Sequence, residues 1–244
     1  MQRFNLLPLV IKNLIIINGL FFLGMIALGN SFNINLGYYL GLHLPMSEAF
    51  QPYQLITHIF MHANFTHILF NMFALWMFGF ELENIWGPKR FLNYYLFTGL
   101  GAAALHLGTL YWEFNSIAAE LSTQQLSIIK SQGAQAILEG KNFVDPLMAH
   151  ANGLLNGSTV GASGAVFGIL LAFGMMFPNR PILLLFFPVP IKAKYFVAGY
   201  GLLELINGFQ MNSHSNVAHF AHLGGMLFGF LILRYWKKKH GTYY

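Results

Sequence analysis

The sequence predicts an all-α fold: a polytopic membrane protein built as a bundle of six transmembrane helices. Three observations carry this. Of 244 residues, 56% are hydrophobic and 9% charged, whereas a soluble domain is about a quarter charged; a lipid-facing surface needs almost no charge, a wetted one cannot do without it. Apolar stretches recur along the whole chain and leave no polar block large enough to fold alone, so residues 1–244 read as one membrane domain. Finally, the basic residues sort by side. With six spans and a cytoplasmic N-terminus, eleven of the thirteen lysines and arginines fall on the cytoplasmic side, and only Lys130 and Lys141 fall outside.

Crossing a hydrocarbon core of about 30 Å takes roughly 20 apolar residues. The first candidate, 13–29, follows Arg3 and Lys12; no small-residue cleavage site with a polar sequence behind it follows, so it reads as a span rather than a signal peptide. The others are 57–80, 91–111 after Lys89 and Arg90, 160–177, 195–211, and 217–236 ahead of Lys237, Lys238 and Lys239. Residues 31–54 form an external loop apolar enough to lie partly in the interface. A long external loop, 112–158, carries a possible amphipathic helix near 117–138. PILLLFFPVP, 181–190, is too short to span and is bracketed by prolines, which places it at the cytoplasmic interface. The net charge of +5 follows this topology and points to no nucleic acid; the absence of cysteine excludes disulfides and a thiol nucleophile.

Polar side chains are costly in hydrocarbon and face a bundle interior or a wet cavity. In the second span His67 and Asn71, four apart, share a helical face, with His62 about a turn and a half above. The fourth span opens with GASG, so Ser163 falls in a first turn, where free backbone N–H groups favour developing negative charge; Gly161 and Gly164 allow close approach of other segments. In the sixth, His222, Gly225 and Gly229 share a face suited to packing against Gly164 and Gly168. A possible nucleophile thus stands beside a possible base, with His67, Asn71 and the Ser163 N–H as oxyanion donors: the parts of an acyl-transfer centre. No acid comes to the depth of His222, because Asp145 is in a loop, Glu81 and Glu83 lie at the opposite end and Glu204 is mid-helix. The expectation is a two-residue centre. Rival uses remain open. His58, His62, His67, His219 and His222 include possible haem ligands, Glu204 could mark a transport path, and a His-ligated zinc peptidase lacks its HExxH.

Three ordered motifs carry a resemblance. HANFTHILFN, GASGAVFG and AHLGGMLFG, within about 50–229, resemble the second-helix, nucleophile and base motifs of the rhomboid family of intramembrane serine proteases. The resemblance implies a six-helix rhomboid-like bundle of the basic bacterial form, with Ser163 as nucleophile, His222 as base, and His67 and Asn71 binding the oxyanion. It further implies that Phe167 packs on the imidazole, that Glu83 makes structural hydrogen bonds, and that the fifth span is a lateral gate. His62 and Gly161 are expected to line the site. Tyr53-Gln54 departs from the family's Trp-Arg pair, and the 112–158 insertion is unusually long. The implied activity is a serine endopeptidase cleaving single-span membrane proteins near the external face of the bilayer, without cofactor or metal. It implies residence in a bacterial inner membrane with both termini cytoplasmic. The alternative is a catalytically silent relative that binds membrane clients.

Overall fold

A computed structural model describes residues 5–184, 187–209 and 218–243. In chain order it contains α1 (Leu9–Phe32), α2 (Leu36–Leu40), α3 (Gln54–Thr57), a 3-10 turn (His58–Phe60), α4 (Phe65–Trp86), α5 (Pro88–Ala118), α6 (Thr123–Leu138) and α7 (Pro146–Asn156). After these come α8 (Ser163–Met176), strands β1 (Pro181–Leu184) and β2 (Phe187–Lys192), α9 (Ala193–Phe209) and α10 (His219–His240). The predicted end of the fifth stretch beyond Phe209 and the start of the sixth before Ala218 lie outside the described residues.

Large apolar side chains point outward in rows. Ile16, Leu20 and Leu23 on α1, Phe70 and Phe73 on α4, Leu202, Leu203 and Phe209 on α9, and Leu227 and Leu231 on α10 are all exposed. A water-soluble monomer does not tolerate contiguous apolar surface of this extent, so the fold is apolar on both its inside and its outside. Among the described residues, α1 and α4 are long and apolar enough to cross a bilayer by length and hydropathy.

The interior is organised around α8, which has no exposed residue. It packs against α4, α5, α9 and α10. Glycine makes the approach to α10 possible: a Cβ on Gly225 would overlap the carbonyl oxygen of Gly164, so the two backbones meet directly. At the opposite end Glu83 receives the N–H groups of Val10 (2.8 Å) and Ile11 (3.0 Å). A buried carboxylate thereby closes the first turn of α1, whose Pro8 N-cap has no side chain to do so.

Several sequence expectations change. The apolar stretch 57–80 is not one helix: it breaks after Phe60, and α4 restarts at Phe65 because the Asn64 side chain caps it by accepting from His67 N–H at 2.9 Å. His62 therefore lies in the connection before α4, not a turn and a half up its face. Within PILLLFFPVP, Pro181–Leu184 pairs antiparallel with Phe187–Lys192, Pro181 opposite Lys192 and Ile182 opposite Ile191, so the fold is not purely helical.

The 112–158 insertion is folded rather than loose. Here α5 runs on to Ala118, a Ser122–Gln125 capping box starts α6, and Asp145 with Pro146 starts α7. These helices bury a second small core of Leu44, Phe114, Leu121, Ile129, Met148, Ala151 and Leu155. Asn156 donates to Asn152 Oδ1 (2.9 Å) and accepts from Ser47 (2.9 Å), tying the insertion to the loop between α2 and α3.

Candidate active site

Ser163 is the first residue of α8, and its N-cap, Ala162, offers no side-chain acceptor to the first-turn N–H groups. Those donors stay available beside the hydroxyl. The lead-in is fixed by backbone: Leu42 and Thr159 exchange two hydrogen bonds of 2.8 Å, and Gly161 N–H donates to His58 O at 2.9 Å. Gly161 adopts φ +138°, and a Cβ there would come within 2.9 Å of the His67 ring. Only glycine satisfies both demands.

His222 stands in the first turns of α10 and places Nε2 2.9 Å from Ser163 Oγ. Phe167, one turn after Ser163, stacks on the imidazole at 4.1 Å between centroids and 5° between planes. Tyr200 from α9 backs Phe167 at 5.0 Å. The ring plane is thereby set by packing, and rotation about it is hindered.

His67 lies against Gly161, and the buried His62 packs edge-on against it at 5.0 Å. Asn71, also buried, gives one amide hydrogen to His67 O at 2.8 Å within its own helix, which leaves its other hydrogen for a ligand. Ser163, His222, Phe167, Gly161, His67 and His62 thus gather at one end of the bundle, with Asn71 one turn further along α4.

One neighbour was not foreseen. Glu204 Oε2 lies 2.6 Å from His219 Nδ1, a formed hydrogen bond, and 2.9 Å from His222 Nδ1. The second contact lacks the alignment of a formed hydrogen bond, and no other polar atom among the described residues partners that nitrogen. Depth along α9 conceals this proximity, because α9 and α10 pack on each other and bring the carboxylate level with both imidazoles. Periodicity holds a clue. The buried residues of α9 are Ala193, Val197, Glu204 and Gly208, spaced 4, 7 and 4 along one stripe.

A rhomboid domain family model matches residues 49–239. The chain belongs to the rhomboid family. Rhomboids are polytopic integral membrane proteins, and the family includes serine intramembrane proteases. Among its relatives, the rhomboid protease AarA of Providencia stuartii is 31% identical over 180 residues, covering 70% of this chain and 51% of that protein. Rhomboid protein 1, mitochondrial, of Saccharomyces cerevisiae is 29% identical over 173 residues (70% and 38%). RHOMBOID-like protein 12, mitochondrial, of Arabidopsis thaliana is 32% identical over 174 residues (70% and 42%). The match spans 38% to 51% of the length of these relatives.

Proposed function

We propose that this rhomboid is an intramembrane serine endopeptidase acting through Ser163 and His222, and the 2.9 Å contact between Ser163 Oγ and His222 Nε2 carries the reading. His222 Nε2 takes the hydroxyl proton as Oγ attacks a peptide carbonyl. The tetrahedral oxyanion is held by the Ser163 N–H, His67 and Asn71. His222 then returns its proton to the leaving amine, and an acyl-enzyme remains on Ser163. Water, deprotonated by the same nitrogen, hydrolyses that ester and regenerates the serine.

In this reading α1, α4, α5, α8, α9 and α10 are six spans of one membrane domain, and the basic residues lie on the side of the termini. The centre then opens to the opposite, external face. Its substrates are single-span membrane proteins whose helices unwind easily, because a carbonyl held in an i to i+4 hydrogen bond is poorly exposed to attack; Gly or Pro near the scissile bond and a small residue before it favour cleavage. Its relatives include mitochondrial proteins as well as the AarA protease of Providencia stuartii, so they support residence in a membrane and do not single out a bacterial inner membrane.

The test is cleavage of a single-span reporter in proteoliposomes. Native protein should cut it near one face, and His222→Ala should not. Equal, background-level turnover by both would favour the silent client-binding alternative.

A further inference from the structure

We propose that Glu204 is a positioning residue for His222, so that the hydrolytic centre is a Ser163–His222–Glu204 triad whose third member is carried by α9. This rests on the hydrolase reading above.

The chemistry of the imidazole sets the requirement. For Nε2 to accept the Ser163 proton it must be bare, so the hydrogen of the neutral ring resides on Nδ1. A buried Nδ1–H needs an acceptor, and its absence leaves both tautomers competing for the ring. Glu204 Oε2 is 2.9 Å away, while Nε2 faces Ser163 Oγ at the same distance. The two ring nitrogens therefore stand within reach of a hydroxyl and a carboxylate, one at each nitrogen, and Phe167 stacks on a face. Plane, tautomer and direction are each assigned to a different residue.

Glu204 is 5% exposed and is the sole acidic residue after Asp145. A carboxylate buried in an apolar helix is held by compensating partners, and intramembrane acids mark function more often than architecture. Pairing with His219 alone would satisfy it, yet the same oxygen is directed between two imidazoles. Separations of 2.6 and 2.9 Å are those of direct contacts; ligand atoms about 2.0–2.1 Å from a tetrahedral zinc ion would stand further apart. When His222 takes the proton it becomes cationic, and the carboxylate stabilises that cation without itself accepting the proton. The bent approach in the resting state leaves this contact to tighten as charge develops, with His219 holding the carboxylate in place meanwhile.

The experiment compares native protein, Ser163→Ala, Glu204→Gln and Glu204→Asp in proteoliposomes, recording kcat and KM on a single-span reporter and melting in detergent. Glu204→Gln, whose neutral amide can donate as well as accept and so neither fixes the Nδ1–H tautomer nor stabilises the imidazolium, should lower kcat by about 10²–10⁴ with KM nearly constant. Glu204→Asp should recover part of that loss. Folded Glu204→Gln with kcat within about threefold of native would overturn the triad while leaving the hydrolase reading intact. Native protein no more active than Ser163→Ala overturns both. If Glu204→Gln does not fold, imidazole ¹⁵N shifts of native protein decide: an Nδ1–H tautomer at His222 supports the proposal, and an Nε2–H tautomer overturns it.

Discussion

The helices α8 and α9 both reach His222, and they are held in opposite ways. Every residue of α8 is at least partly buried, and its Gly164 meets Gly225 of α10 backbone to backbone. By contrast, α9 buries one stripe of four residues and turns Leu202, Leu203, Leu205, Ile206 and Phe209 outward. Ser163 thus rides on an element that cannot shift without opening the core, because a close-packed interior deforms discontinuously. The carboxylate rides on one that can move with far fewer contacts broken. His222 therefore stands between a fixed neighbour, Ser163, and an adjustable one, Glu204.

Substitutions at glycine test that contrast most sharply. Gly225→Ala places a methyl group onto a backbone oxygen that has no rotamer to escape into, so α8 and α10 must separate. The expected cost is about 1–3 kcal/mol or more, with near-complete loss of cleavage, read by thermal melting and reporter turnover. Unchanged melting would break the claim that α8 is locked.

A second test separates this core from the loop that holds His43. His43 lies in the loop between α1 and α4, fully buried, with Nε2 2.7 Å from Tyr38 O; burial holds its pKa below the ordinary 6.5 despite the backbone contacts that oppose it. A depressed folded value means that stability is fully present above pH 6.5 and is lost as pH falls toward and through the folded pKa, since the unfolded chain takes up the proton first. Melting of native protein should fall more steeply below pH 6.5 than that of His43→Gln. Parallel curves would refute the assignment.

The smallest effect belongs to α9. A Cβ on Gly199 meets nothing within 4 Å, so Gly199→Ala should leave folding intact or stabilise the helix by about 0.5–1 kcal/mol. A loss comparable to that of Gly225→Ala would show α9 to be as tightly held as α8.

How much of this was legible beforehand follows the range of the interactions. GASG announced a helix start with a hydroxyl in its first turn, and the glycine spacing after His222 announced a close helix contact; both are local patterns. The break before α4 was legible in Asn64, a strong N-cap residue, but hydropathy carried the apolar stretch across it. Glu204 reads as mid-helix, and depth along a single helix says nothing of where a neighbouring helix starts. His219 and Glu204 are fifteen residues apart in the chain, and only packing makes them neighbours. The stripe of Ala193, Val197, Glu204 and Gly208 already placed the acid on the inner face.

The central claim is that Ser163, activated by His222, is the nucleophile. Its most direct measurement is mass spectrometry of protein treated with a fluorophosphonate. A phosphonyl adduct is expected on Ser163 in native protein, and none in His222→Ala under the same conditions. An adduct on another residue, or labelling that persists in Ser163→Ala, would contradict it.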